Sequence, residues 1–153
     1  LCCSDSRVPA EILFDQSLGD LFVVRTAGLV LDPTSIGSLE YAVGHLHVPL
    51  LVIKGHEGCG AVTAAVEHPE ATEGHIGSII TQISPAVAQA RRNGNNGQDL
   101  IEATTDLHLK YLEETLIRVS PIIREAVEAR RLEVVVAKYY LHAGQVQPLT
   151  STF

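Results

Sequence analysis

Short runs of β-branched and apolar residues alternate along the chain with longer stretches of helical period. Leu21–Val24, Pro49–Ile53 and Leu132–Ala137 are apolar almost throughout, the composition of strands covered on both faces. A weaker run, Val146–Leu149, follows a turn at Gly144. Between the runs, Ile36, Leu39, Ala42, Val43 and Leu46 recur at three- and four-residue intervals. That spacing predicts an amphipathic helix over Ser35–Leu46, started by Asp32-Pro33-Thr34-Ser35, with Leu39 and Tyr41 in its core. Leu109, Leu112, Leu116, Val119 and Ile123 predict helical structure across Asp99–Arg131, broken in two at Pro121. Arg91–Gly97 reads as an exposed loop, and Leu1-Cys2-Cys3 as the last residues of a buried strand. This alternation is the pattern of a three-layer α/β fold, a mainly parallel central sheet flanked by helices. With no repeat, low-complexity tract or linker, residues 1–153 are expected to form a single domain.

Composition narrows the classes. A chain of 153 residues, 46% apolar, buries roughly 68–70% of its unfolded surface and needs no disulfide staples. Its three cysteines are odd in number, and Cys2 and Cys3 are adjacent. That is not a disulfide framework, and it points to a reducing, cytoplasmic setting. The formal net charge is −7, with basic pairs only at Arg91-Arg92 and Arg130-Arg131, which argues against nucleic acid and anionic membrane as partners. No apolar run approaches the ~18 residues of a membrane span, and no signal segment opens the chain.

Two clusters carry chemistry: Cys3-Ser4-Asp5-Ser6-Arg7, and Gly55-His56-Glu57-Gly58-Cys59-Gly60 directly after the second strand. In an extended chain residues 3, 5 and 7 project to one side, and the planar fork of Arg7 can fold back on Asp5 and hold it ionised. His56 and Cys59, three apart at a strand-to-helix junction, face the same way once the chain turns helical. The first turn of that helix, Cys59–Val66, also favours a thiolate. Cys, His and Cys suit zinc and leave the fourth tetrahedral position open, which is a catalytic arrangement. Gly55 and Gly60 read as turn glycines, and Cys2 as a small core residue. Phe14 reads as core or pocket wall, and Glu57 as an exposed loop residue. His45, His47, His68, His75, His108 and His142 read as surface or satisfied histidines rather than proton shuttles.

At these residues the chain resembles the β-class carbonic anhydrases. The similarity runs through Cys3–Pro9, Phe14–Gln16, Gly19–Arg25, Ala27-Gly28, Ser38–Val43 and Gly55–Val62, and returns weakly at Tyr139-Tyr140 and Gly144–Val146. The resemblance implies that Cys3, His56 and Cys59 bind Zn2+. It also implies that Asp5 and Arg7 form the catalytic dyad and that the sheet runs 2-1-3-4, with a possible extra edge strand. The implied reaction is reversible hydration of carbon dioxide to bicarbonate and a proton by zinc-bound hydroxide oriented by the dyad. Some relatives adopt a closed form at lower pH, with the aspartate in the open zinc position. Gly60 and Arg25 are candidate substrate-binding residues, with an ion pair to a neighbouring carboxylate as the other reading of Arg25. The partners implied are carbon dioxide or bicarbonate and a second copy of the chain, as homodimer or homotetramer.

Two departures from the family stand out. Leu29 occupies a position where the family usually has asparagine. The family's N-terminal helices and most of its first strand have no counterpart before Cys3, so the chain is expected to be N-terminally truncated, with weakened dimerisation. Two other readings keep the zinc site: hydrolysis of carbonyl sulfide or carbon disulfide, or an inactive zinc-binding member. A redox dithiol role is disfavoured because no Cys-x-x-Cys motif is present.

Overall fold

Parallel strands cannot be joined by tight turns and need crossover connections, which this chain supplies mostly as helices. A computed structural model describes residues 1–70 and 73–149. In chain order the elements are β1 (Cys2–Cys3), α1 (Ala10–Leu13), β2 (Arg25–Thr26), a 3-10 turn (Ala27–Leu29), α2 (Pro33–Gly44), β3 (Leu50–His56), α3 (Gly60–Glu67), α4 (Ile76–Arg92), α5 (Gly97–Val119), α6 (Pro121–Glu128), β4 (Glu133–Tyr140) and β5 (Gln145–Pro148).

The sheet order is β2-β1-β3-β4-β5. The first four strands are parallel neighbours, and β5 runs antiparallel to β4 as the edge. This is the order the resemblance implies, with the extra edge strand present. Because the chain steps from β1 to β2 on one side and then to β3 on the other, the order reverses between β1 and β3. Such a reversal opens a crevice at the carboxyl ends of the two strands.

Local chemistry explains the element boundaries. Asp32 Oδ1 accepts from the Ser35 amide at 2.6 Å while Ser35 Oγ accepts from the Asp32 amide at 2.8 Å, a capping box that starts α2 with Pro33 in its first turn. Ser120 ends α5 and caps α6, its Oγ accepting from the Ile123 amide at 3.2 Å, so the break at Pro121 falls where the sequence puts it. The core gathers Ile53, Leu109, Leu116 and Ile123, with α5 against β3 and β4, α3 and α4 against α5, and α2 against α6.

Several expectations are corrected. Leu21–Val24 is not a strand: the ladder with β1 starts one residue later, Cys2 and Cys3 pairing with Arg25 and Thr26, and of the run only the Val24 carbonyl is engaged, by the Cys2 amide. Arg91 and Arg92 form the last turn of α4 rather than a loop, where cations complement the helix dipole. Tyr41 is 51% exposed and lies against Phe22 and His45, whereas Leu39 is buried as expected. Gly55 is not a turn residue but lies inside β3, where a Cβ would stand 2.6 Å from Leu109 Cδ1. Leu29 has φ 58° and is buried, a left-handed backbone in which asparagine is more at ease than leucine.

Candidate metal and catalytic site

The site forms where β1 and β3 end side by side. Cys3 is the last residue of β1 and His56 the last of β3, and Cys59 sits at the N-cap of α3. Pairing Cys2 with Lys54 brings the two motifs together across more than fifty residues of chain. Cys3, His56 and Cys59 are all buried, and their ligating atoms lie within 4.8 Å of one another.

The donor set fits a metal. His56 Nδ1 lies 2.8 Å from the Glu57 carbonyl, which can only accept, so the ring proton is on Nδ1 and the Nε2 lone pair is free. His56 is fully buried and Nε2 has no hydrogen-bond partner, a costly arrangement unless something else takes that lone pair. Cys3 Sγ and Cys59 Sγ are 4.0 Å apart and not disulfide-bonded. Two sulfurs about 2.3 Å from one tetrahedral zinc would stand about 3.8 Å apart. Among the thiols Cys3 ionises more readily, its pKa lowered to about 4 chiefly by a hydrogen bond from Cys59, with backbone donors at Asp5 and Gly28 adding to it. Cys59, as that donor and deeply buried, is pushed up.

Asp5 faces this cluster, its Oδ2 3.9 Å from His56 Nε2. Arg7 grips it through both oxygens, Nη2 to Oδ2 at 2.6 Å and Nε to Oδ1 at 3.0 Å, and the Arg7 amide adds a bond to Oδ1 at 2.9 Å. The side-chain bonds from Arg7 above all hold the Asp5 carboxyl well below the usual carboxylate range. Arg7 Nη2 also donates to the Gly58 carbonyl at 3.1 Å, linking the two motifs.

Arg25 forms no ion pair among the described residues. Its Nε donates to the Cys3 carbonyl at 2.8 Å and its Nη2 to the Asp5 carbonyl at 2.6 Å, so it splints the backbone of the first motif. Gly60 is exposed at the start of α3, with open space where a Cβ would be. His108 is buried, and its Nε2 donates to the Gly28 carbonyl at 2.8 Å, a satisfied histidine. Glu57 is half-buried, with His142 Nδ1 3.4 Å from its Oε2. Phe14 and Cys2 line a cavity of about 470 Å³ beside Leu50–Val52, away from the cysteine–histidine cluster.

Two buried lysines escaped the sequence reading. Lys54 Nζ donates to the Val8 carbonyl at 2.9 Å, steadying the chain just after Arg7. Lys138 Nζ lies 2.7 Å from Glu102 Oε2 and 2.9 Å from Asp106 Oδ1. Each is a lone charge just past an apolar strand run, and that was the signal available.

Comparison with known proteins agrees with this geometry. A family model described as carbonic anhydrase matches residues 1–146. The chain is 41% identical over 151 residues to a carbonic anhydrase of Mycolicibacterium smegmatis, covering 95% of this chain and 70% of that protein. It is equally identical over 146 residues to carbonic anhydrase 2 of Mycobacterium tuberculosis, covering 94% of this chain and 69% of the other. Among solved structures, the β-carbonic anhydrase of Coccomyxa in complex with acetazolamide superposes with TM-score 0.87 at 28% identity, over 98% of this chain and 70% of that one. A β-carbonic anhydrase of Aspergillus fumigatus superposes with TM-score 0.88 at 27% identity, over 97% and 72%. Sheet order, the clustering of the two motifs and sequence identity along nearly the whole chain therefore converge: this protein belongs to the β-carbonic anhydrase family of enzymes.

Proposed function

We propose that the chain hydrates carbon dioxide reversibly to bicarbonate and a proton, with Cys3, His56 and Cys59 as zinc ligands and Asp5 and Arg7 as the orienting dyad. One observation carries the reading: three buried ligating atoms converge within 4.8 Å beside a carboxylate clamped by an arginine. When bound, zinc supplies Lewis acidity that makes a water molecule nucleophilic near neutral pH.

The chain's own residues do the rest. Asp5 accepts a hydrogen bond from the attacking oxygen and so aims its lone pair at the carbon of the substrate. Because Arg7 keeps Asp5 far more acidic than an ordinary carboxyl, Asp5 orients and does not retain the proton, which passes to solvent. Arg25, bonded to the carbonyls on either side of Ser4, keeps Cys3 and Asp5 in fixed relation. Self-association is proposed as well, supported by the exposed apolar side chains Ile12, Leu18, Phe22 and Tyr41.

Metal analysis with stopped-flow carbon dioxide hydration, on this chain and on Cys59→Ala, tests the reading. One zinc per chain, with zinc and activity lost together in the variant, is expected. Full hydration by a zinc-free chain would refute it.

A further inference from the structure

Gly58 separates Glu57 from Cys59 on the loop between two proposed zinc ligands, and its φ is +57°. Its peptide groups are held from both sides. The Gly58 N–H donates to Glu102 Oε1 at 3.2 Å, and the Gly58 carbonyl accepts from Arg7 Nη2 at 3.1 Å. Glu102 is fixed in turn from two directions. Gln98 Nε2 donates to Oε1 at 3.1 Å, and Lys138 Nζ stands 2.7 Å from Oε2 as a charge contact. The Lys138 side chain is only 3% exposed, and Asp106 and the ring of Tyr140 complete its surroundings. Removing an ammonium from water is expensive, and pairing it with partly exposed carboxylates does little more than offset that cost. What this pair does give is direction: it aims one carboxylate oxygen at the rim of the site.

We infer that Glu102 and Lys138 are positioning residues for the hydration reaction, setting the orientation of Gly58 and, through its carbonyl, the placement of the Arg7 guanidinium against Asp5. The inference rests on the dyad reading proposed above and extends it to α5 and β4, elements that carry no ligand. Without Glu102 the peptide before Gly58 loses its anchor, and glycine imposes little torsional restraint of its own. Arg7 then keeps Asp5 but loses the carbonyl that fixes its far end.

The test is a double-mutant cycle on the zinc-loaded full chain, reading kcat and KM for carbon dioxide, zinc per chain and melting temperature. Glu102→Ala is expected to lower kcat about tenfold, in the range found for outer partners of metal sites, with KM and zinc content kept. In an Arg7→Ala background the same change is expected to alter kcat by less than about twofold, because groups acting through one another are not additive. Glu102→Gln keeps an oxygen for the Gly58 N–H but loses the charge contact to Lys138, and its kcat is expected to fall between those of the parent and Glu102→Ala. Lys138→Met reports on the same loop should Glu102→Ala prove too unstable, and it is expected to lower kcat in the same direction. Unchanged kcat in both Glu102→Ala and Lys138→Met, a loss that multiplies fully with Arg7→Ala, or a loss matched by missing zinc would each overturn the inference. Full activity of Arg7→Ala would instead remove the dyad reading, and the inference with it.

Discussion

Gly55 offers a sharp test of how the scaffold holds the site. A Cβ built there would lie 2.6, 2.9 and 3.1 Å from Cδ1, Cδ2 and Cγ of Leu109. Ordinary carbon contacts are about 3.5–4.0 Å, so the leucine would have to retreat by about 1 Å. Leu109 is 1% exposed, so the shift would be taken up inside the core. Overpacking of this kind costs about 1–3 kcal/mol, and the stiffer unfolded chain of an alanine variant offsets about 0.4–1 kcal/mol of that. Gly55→Ala is therefore expected to destabilise the fold by about 1–2 kcal/mol net, lowering the urea midpoint by about 0.5–1 M at unchanged slope. Leu109→Ala alone is expected to cost about 2–5 kcal/mol by opening a cavity. Combined, the new methyl occupies the vacated space, so Gly55→Ala becomes neutral or favourable in that background. Urea unfolding of the four chains measures the coupling. Equal effects of Gly55→Ala in both backgrounds, within about 0.5 kcal/mol, would refute the packing argument.

Arg7→Lys replaces a planar fork by a point charge; hydration is expected to fall at least about tenfold with zinc content unchanged, and wild-type kcat in that variant would remove the need for a two-oxygen grip on Asp5. Two thiolates and a neutral imidazole cancel the charge of a bound zinc, so its water is acidified less than by three neutral histidines. Hydration should accordingly rise toward alkaline pH, and a flat profile from slightly acid to alkaline conditions would contradict this. Burial lowers the pKa of Lys54, so the folded chain holds that proton less tightly than the unfolded one and stability gains from rising pH until the unfolded value near about 10.4 is passed. Urea midpoints at neutral and alkaline pH should show a smaller gain for Lys54→Met than for the parent chain, and equal gains would show that Lys54 titrates as if exposed.

What the sequence disclosed is what short-range chemistry specifies. β3 and β4 were legible as unbroken apolar runs, α2 from its cap and period, and the candidate site from Cys-x-Asp-x-Arg and His-x-x-Cys spacings that need no tertiary information. α4 was not read from the sequence; it carries Pro85 in its interior, which removes one donor, the partner of the Thr81 carbonyl. Leu21–Val24 has strand composition, but a strand requires a neighbour that local sequence does not reveal. Lys138 and Glu102 are 36 positions apart (138 − 102), and the packing of α5 on β4 makes them partners. Arg25 holds the carbonyls of Cys3 and Asp5, contacts that depend on where β1 ends and that its sequence position does not disclose.

The meeting of β1 and β3 also bears on folding order. Cys3 and Cys59 are 56 positions apart, so the proposed ligand set is complete only after a long loop has closed, whereas the helices form from local contacts. A metal that binds only the closed form raises stability with its concentration, drawing the two-residue strand into its slot. That strand is tied by the Cys2 amide to the Val24 carbonyl and by the Lys54 amide to the Leu1 carbonyl, both at 2.9 Å. Exchange of those two amides with solvent should therefore slow as metal is added, making metal capture and completion of the sheet one cooperative event.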